Sequence, residues 1–132
     1  PYRGRLFTKH LYPTVGEMNQ PEAEVAVILD ALPEVELWLR NLDRHPNSFR
    51  LPCPSHKSDW FYPDFLARLT DGRLLVLEYK GSHLEDQDQA KRQIGLAWQR
   101  AMKGQGLFLW IGDAPETAQG RSIAEQIRAG LK

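Results

Sequence analysis

Several features that would point to a familiar class of protein are scarce or absent in this sequence of 132 residues. A single cysteine, Cys53, excludes an internal disulfide and a zinc site built from cysteines. Lys and Arg together number 17, as do Asp and Glu, so there is no general excess of positive charge for binding nucleic acid. No apolar run is long enough to span a bilayer, so we expect no membrane partner. The composition predicts one domain with its own core in a reducing, cytoplasmic setting.

Motifs for nucleotide hydrolysis and for zinc binding by histidines are also absent. The sequence contains no glycine-rich phosphate loop, so any ATPase must lie on another domain. His10, His45 and His56 are scattered along the chain, which argues against a zinc site built from histidines. Because the chain begins at Pro1 rather than at Met, we expect it to be part of a larger protein.

The sequence does contain a predicted β-hairpin. Residues 65–69 and 73–80 are rich in large apolar side chains and are bounded by Pro and Gly, as is typical of strands. The three-residue loop 70–72 suits a type I turn followed by a glycine in the left-handed region. Both faces of the hairpin are largely apolar, so we expect other elements to cover the sheet on both sides.

The length of the loop decides which residues face each other. A three-residue loop pairs Leu69 with Arg73 and, counting back, Asp64 with Glu78, whose Cβ atoms would then lie about 5 Å apart on one face. Lys80 lies on that face two residues along, roughly 7 Å away. A two-residue turn would shift the register and move Asp64 to the opposite face, so the hypothesis of a shared site depends on the longer loop.

Two interpretations of these charges are open. Like charges directly opposite each other destabilise a sheet unless something compensates them, and a divalent metal ion would do so here. On an exposed hairpin, the same residues would instead be solvated, with Glu78 and Lys80 paired to each other or to Arg68. We favour the metal site because the surrounding strands are apolar, and a metal site points in turn to phosphodiester cleavage.

The rest of the chain predicts an α/β fold in which a mixed sheet is flanked by helices. A strand, a crossover helix and a second strand indicate a parallel pair with a right-handed connection. Residues 1–19 are expected to form an extended arm. The remaining elements are predicted to be a helix from Gln20 to Pro33, a strand over 35–42, a long loop up to residue 59, the hairpin, a helix over 86–103, a strand over 107–111 and a helix over 117–131.

Two helical positions are candidates for the site. Glu22 lies about 60° from the centre of the apolar stripe of the first helix, whereas Glu24 points away from it. Glu22 either approaches the pair of carboxylates or serves as a cap or dipole residue. Lys91 lies at the edge of the apolar stripe predicted for the later helix, Ala90, Ile94, Ala97, Trp98 and Ala101. It either contacts a phosphate or extends along the apolar surface.

If the phosphodiester belongs to a nucleic acid, contact with it has to come from local patches of charge, since the net charge is zero. The basic residues that cluster in the arm, at the end of the first strand and in the long loop are candidates for this role, although several of them would equally suit a solvated loop. With Lys91, the candidates are Lys9, His10, Arg40, Arg50 and Lys57, and their basic neighbours are Arg44, His45 and His56.

The order of elements and the segments Tyr62-Pro63-Asp64 and Glu78-Tyr79-Lys80 resemble the PD-(D/E)XK nuclease superfamily. More narrowly, the chain resembles the C-terminal nuclease domain of type III restriction-enzyme-like helicase subunits of the DEAD/DEAH type. The similarity runs nearly end to end. It rests on Phe7-Thr8-Lys9-His10, Glu22, Trp38-Leu39-Arg40-Asn41, Phe49-Arg50-Leu51-Pro52, Phe61-Tyr62-Pro63-Asp64-Phe65, Asp71-Gly72-Arg73, Glu78-Tyr79-Lys80-Gly81, Lys91 and Trp98.

The resemblance implies a restriction-endonuclease-like α-β-β-β-α-β core and DNA cleavage that depends on Mg²⁺, with Mn²⁺ as a substitute. Asp64, Glu78 and Lys80 would be catalytic, and Glu22 would join Asp64, Glu78 and the Tyr79 carbonyl in binding metal. The partners implied are DNA and helicase or translocase domains of the same polypeptide in a prokaryotic cytoplasm, and a dimer is possible. The alternatives are a catalytically silent DNA-binding or docking module of a helicase, and a plain structural domain with a surface cluster of ion pairs.

Overall fold

The computed structural model of the chain describes residues 7–11, 18–42, 45–53, 60–82 and 86–132. Strands lie between helices along the chain, as is typical of α/β proteins. In chain order the elements are α1 Gln20–Ala31, β1 Val35–Arg40, β2 Leu51–Pro52, β3 Trp60–Phe61, β4 Phe65–Leu69, β5 Leu74–Lys80, α2 Asp86–Ala101, β6 Gly106–Gly112, α3 Pro115–Ala118 and α4 Ile123–Gly130.

The main sheet is mixed, which confirms the predicted α/β class. Its strands lie in the order β1-β4-β5-β6. The first two pairs are antiparallel, and β5 pairs with β6 in parallel, as predicted for strands joined by a crossover helix. The prediction of one long loop up to residue 59 is wrong in part, because β2 and β3 form a second antiparallel pair. Leu51 and Phe61 are buried in this pair, which explains why it forms.

The register of the hairpin is the predicted one. Phe65 lies opposite Leu77, and the Leu69 amide donates to the Arg73 carbonyl at 2.9 Å. Gly72 adopts φ 93°, a conformation that L side chains rarely accept. The same register, extended beyond the end of β4, places Asp64 opposite Glu78.

Side chains cover the sheet on both faces, as the hairpin pattern predicts. One face, with α1 and α4, holds the larger core, in which Trp38, Phe65 and Leu77 are fully buried. The opposite face, covered by α2, holds a smaller core that includes Val76 and Phe108. Because successive residues of a strand alternate between faces, Tyr79 points to the first core while Glu78 and Lys80 lie on the side of α2.

Several predicted boundaries are wrong. β1 ends at Arg40 rather than at residue 42. The Asn41 amide still donates to the Asp64 carbonyl at 2.8 Å, and the Asn41 side chain donates to the carbonyls of Phe49 and Pro63, both at 2.8 Å. The final helix is two helices rather than one, since Gln119 adopts the left-handed conformation between α3 and α4.

The packed face of α2 also differs from the predicted stripe, and the helix ends at Ala101 rather than at residue 103. Ala97 and Ala101 are exposed, whereas Asp88 and Gly95 are buried. A periodicity count that scores only apolar side chains misses this face, because a glycine and an aspartate contribute nothing to it.

Gly95 sets the distance between α2 and the sheet. A Cβ built at this position would lie 2.3 Å from the tip of the Phe108 ring. Gly95→Ala is therefore expected to destabilise the fold by about 1–3 kcal/mol, even though alanine is the better helix former. Chemical denaturation measures the change. Gly81→Ala is the control, because its Cβ meets no described atom within 4 Å, and a loss in that variant equal to the loss at Gly95 would contradict this account.

The described part of the N-terminal arm lies along the free edge of β1. The Trp38 amide donates to the Lys9 carbonyl at 2.9 Å, and the Leu11 amide donates to the Trp38 carbonyl at 2.7 Å. Asp30 fixes this segment to α1 by accepting from the amides of Thr8 and Lys9 and from the Trp38 indole. These hydrogen bonds outweigh the effect of burial and lower the pKa of Asp30.

Candidate metal centre

The carboxylates of Asp64 and Glu78 each accept a hydrogen bond from a backbone amide of the opposite strand, at the end of the β4–β5 hairpin. The Asp64 amide donates to Glu78 Oε1 at 3.0 Å, and the Tyr79 amide donates to Asp64 Oδ2 at 3.0 Å. Each carboxylate therefore uses one oxygen to bind the backbone of the other strand. This reciprocal arrangement holds both side chains on one face of the sheet, as the predicted register requires.

The second oxygen of each carboxylate faces a basic side chain. Arg40 Nη1 lies 3.9 Å from Asp64 Oδ1, and Lys80 Nζ lies 3.4 Å from Glu78 Oε2. Glu78 is only 5% exposed, so its charge depends on these neighbours rather than on water. Two carboxylates and two cations thus share a small, poorly solvated region at the carboxyl end of β5.

Burial is the main reason why both carboxylates are hard to ionise. It raises the pKa of Glu78 well above the ordinary value, and the neighbouring charge of Asp64 raises it further. Burial also raises the pKa of Asp64, although the Tyr79 amide and Arg40 oppose this effect. A divalent cation would reverse the balance by favouring the charged form of both groups.

The backbone carbonyl of Tyr79 is the third predicted ligand. The hairpin register places Pro63 opposite Tyr79, and Pro63 cannot donate a backbone hydrogen bond to this carbonyl. Hydrogen-bonded pairs alternate along an antiparallel ladder, and the pair of Leu69 with Arg73 is one of them. The same parity makes Tyr79 and Pro63 such a pair. Pro63 has no amide hydrogen, so β4 has no donor for the Tyr79 carbonyl. This oxygen therefore fits a role as a metal ligand beside Asp64.

Among the described residues, Arg40 provides the hydrogen-bonded link between Glu22 and Asp64. The charge of Glu22 also helps to raise the pKa of Asp64, although burial is the main cause. Glu22 Oε1 accepts from the Asn19 amide at 3.0 Å in a capping box at the start of α1, and Glu22 Oε2 accepts from Arg40 Nη2 at 2.7 Å. Arg40 also donates to the Asp64 carbonyl. Glu22 therefore serves as a helix cap. Arg40 lies between the carboxylates of Glu22 and Asp64 and contacts both.

Lys80 lies between two carboxylates, one of which the sequence did not point to. Its Nζ lies 3.4 Å from Glu78 Oε2 and 3.3 Å from Asp88 Oδ1. Burial alone would lower the pKa of Lys80, but the negative charges of Glu78 and Asp88 outweigh it and raise the pKa. The spacing from Asp88 to Gly95 and Trp98 is helical, and a search for polar residues on that face would have found Asp88.

The other predicted DNA-binding residues are dispersed. His10 is next to the site, since its Nε2 accepts from the Arg40 amide at 3.3 Å. Lys9 donates to the Leu32 carbonyl at 2.6 Å, and Arg50 lies over the exposed ring of Trp60 at 4.0 Å. Lys91 is half-buried on α2, one turn beyond Asp88. Lys57, Arg44 and His56 lie outside the described residues.

The donor set resembles a magnesium site more than a zinc site. Among the described residues, no group of three His, Cys, Asp or Glu side chains has the geometry to hold a metal ion. Mg²⁺ is usually bound by one or two carboxylates and keeps several waters, so Asp64, Glu78 and one carbonyl are a sufficient set. The residues present therefore fit Mg²⁺ or Mn²⁺, with water completing the coordination.

In comparisons with known proteins, no family model, no curated protein and no solved structure matches the chain. None of the described helices combines the length and the apolar character needed to cross a membrane.

Proposed function

We propose that this domain is a metal-dependent deoxyribonuclease with a restriction-endonuclease-like core. The observation that carries the proposal is the pair of buried carboxylates, Asp64 and Glu78, at the end of a hairpin with Lys80 beside them. Buried carboxylates with raised pKa values destabilise the metal-free protein, and such costs are typical of functional sites.

Bound Mg²⁺ would neutralise charge on the phosphate and lower the pKa of a coordinated water. Asp64 and Glu78 would hold the cation with the oxygens that now face Arg40 and Lys80, and the Tyr79 carbonyl would add a third ligand. Lys80, with its pKa raised, would stay protonated and donate to the attacking water or to a phosphate oxygen.

Arg40 is the residue that has to adjust when metal binds. Its guanidinium lies 2.7 Å from Glu22 and 3.9 Å from Asp64, and its Nε is buried without a hydrogen-bond partner among the described residues. An unpaired buried donor is costly, so this position of Arg40 is not optimal. Displacement of Arg40 would leave Glu22 able to bind metal through water and would let Arg40 contact a phosphate.

DNA would approach the end of the sheet where Arg40 and Lys80 lie, with His10 and Lys91 near it. The zero net charge means that these few contacts supply only modest affinity. A helicase or translocase on the same polypeptide would bring DNA to the site and supply the ATPase that this chain lacks. The domain would then cut DNA that its partner domains hold.

The direct test is cleavage of single-stranded, double-stranded and branched DNA by the purified domain with Mn²⁺. Wild type is expected to cut at least one of them, and Asp64→Asn is expected to cut none, because the substitution removes a ligand charge without changing the shape of the side chain. Chelation of the metal should stop cutting. A domain that binds these DNAs and cuts none, alone or with its helicase domains, would contradict the proposal.

The second candidate is a catalytically silent DNA-binding or docking module. It is favoured by the ion pairs of Arg40 and Lys80, which already neutralise Asp64 and Glu78 without metal. A silent module would bind DNA equally well with and without Mn²⁺, and Asp64→Asn would leave that binding unchanged. The nuclease proposal instead requires that Mn²⁺ bind to this pair of residues.

A further inference from the structure

Asp88 lies near the start of α2 on the face that packs against the sheet. Asp88 is 6% exposed, and its Oδ1 lies 3.3 Å from Lys80 Nζ. Aspartate is seldom buried to this extent unless it is paired, and replacing such a pair with apolar residues is often stabilising. Core packing alone therefore gives no reason for an aspartate at this position.

The ammonium of Lys80 has two acidic neighbours that would behave differently once a metal binds. Glu78 Oε2 is one of the oxygens that would bind the metal, and its attraction for Lys80 would weaken because the metal shares its charge. The metal would also repel the ammonium. Of the two carboxylates, Asp88 would then be the one that still attracts Lys80. The ring of Trp110, whose centroid lies 5.9 Å from Nζ, would add a weaker cation–π attraction.

We propose that Asp88 is a positioning residue that holds Lys80 beside the metal after the metal has taken over Glu78. The proposal rests on the proposed nuclease function. In this role Asp88 touches neither the metal nor the DNA: it keeps the ammonium directed at the reacting water, as outer carboxylates do for metal ligands elsewhere. Without it, Lys80 would turn away from the cation toward solvent.

Two observations separate this role from that of a third metal ligand. Asp88 does not join Asp64 and Glu78 in a three-residue group with metal-binding geometry within the described part of the chain. Its Oδ1 lies 3.3 Å from the Lys80 ammonium, a cation that a ligand carboxylate would have to release. Asp88 is therefore assigned to Lys80 rather than to the metal.

The test compares Asp88→Asn with wild type in the intact domain with Mn²⁺. Asp88→Asn is expected to lower kcat for DNA cleavage by about 10–100-fold and to leave the KM for DNA and the affinity for Mn²⁺ unchanged. Glu36→Gln is the control. It removes an exposed ion pair with Arg68, and neither residue of that pair is a salt-bridge partner of Lys80. An unchanged kcat would overturn the proposal, and a joint loss of kcat and Mn²⁺ affinity would make Asp88 a ligand instead.

A second readout uses the metal-free protein and needs no activity. The ¹⁵N–¹H signal of the Lys80 ammonium is expected in wild type and in Glu36→Gln, because burial and two acceptors slow its exchange with water. It should be lost or broadened in Asp88→Asn and restored in Asp88→Glu. Asp88→Glu also serves as the second variant if Asp88→Asn does not fold, and loss of the signal there, or its persistence in Asp88→Asn, would count against the proposal.

Failure of this inference is distinct from failure of the nuclease proposal. If Lys80→Ala is inactive while Asp88→Asn has wild-type kcat, only the role of Asp88 is wrong. If Lys80→Ala cuts as well as wild type, the nuclease mechanism itself fails, whatever Asp88 does.

Discussion

Lys80→Ala is expected to lower the rate of DNA cleavage by about 10²–10³-fold or more, the usual cost of removing one donor that stabilises a transition state. No other described side chain combines a positive charge with contact to Glu78 at 3.4 Å. Gel assays of plasmid cleavage with Mn²⁺ measure the loss. The metal-free variant should also be less stable, because Glu78 and Asp88 lose the cation between them.

Lys80→Arg separates the chemical role of Lys80 from its role as a counter-ion. Arginine keeps the charge, so most of the stability should return, but its planar group does not reproduce the position of an ammonium, and activity should stay low. Lys103→Asn is the control, because it removes a positive charge at the other end of β5 and suits the φ of 51° there. Full activity in Lys80→Ala would contradict the mechanism.

The second large effect is a gain of stability with metal. Mn²⁺ that binds only the folded state at 100 times its Kd adds about 2.7 kcal/mol, which is a rise in Tm on the order of 10 °C for a domain of this size. Thermal unfolding with and without Mn²⁺ measures this gain. Glu78→Gln should respond little, since it loses one of the two charges that attract the ion.

The same variant tests the cost of the buried charge without metal. The pKa of Glu78 is raised in the folded protein, so wild type carries a penalty at pH values above the raised pKa, and this penalty disappears as the pH falls toward the ordinary value near 4.5. Glu78→Gln carries no such penalty. It should therefore be more stable than metal-free wild type at pH 7, and the difference should shrink as the pH is lowered.

Glu36→Gln provides the matched comparison, because Glu36 forms an exposed ion pair with Arg68 and surface pairs contribute at most about 1 kcal/mol. It should leave the response to Mn²⁺ unchanged. A Glu78→Gln variant that is less stable than wild type across the whole pH range would show that the pair with Lys80 outweighs the burial of the carboxylate, and an undiminished response to Mn²⁺ would remove Glu78 from the site.

The hairpin and its register could be predicted because local chemistry determines both. A three-residue loop with Gly72 at a positive φ allows one pairing, and that pairing fixes the face of every residue up to Glu78. The parallel pairing of β5 with β6 could be predicted from chain order, because two strands joined by a crossover helix usually lie parallel in one sheet.

Tertiary contacts determined what the sequence did not reveal. Asp88 faces the sheet because Gly95 brings α2 close to Phe108, and a polar residue on an apolar face does not appear in a count of apolar spacing. Arg40 links Glu22 to Asp64 across 18 residues in one direction and 24 in the other, a distance over which no local pattern operates. The pair β2–β3 is two residues long in each strand, which is too short for a periodic signal.

The central claim is that Asp64 and Glu78 jointly bind one divalent cation. The most direct measurement is anomalous X-ray scattering from crystals of the domain grown at saturating Mn²⁺. The account predicts a peak about 2.1 Å from Asp64 Oδ1 and Glu78 Oε2, with Arg40 moved away from Asp64. A map with no peak there, in which Arg40 and Lys80 still contact both carboxylates, would contradict it.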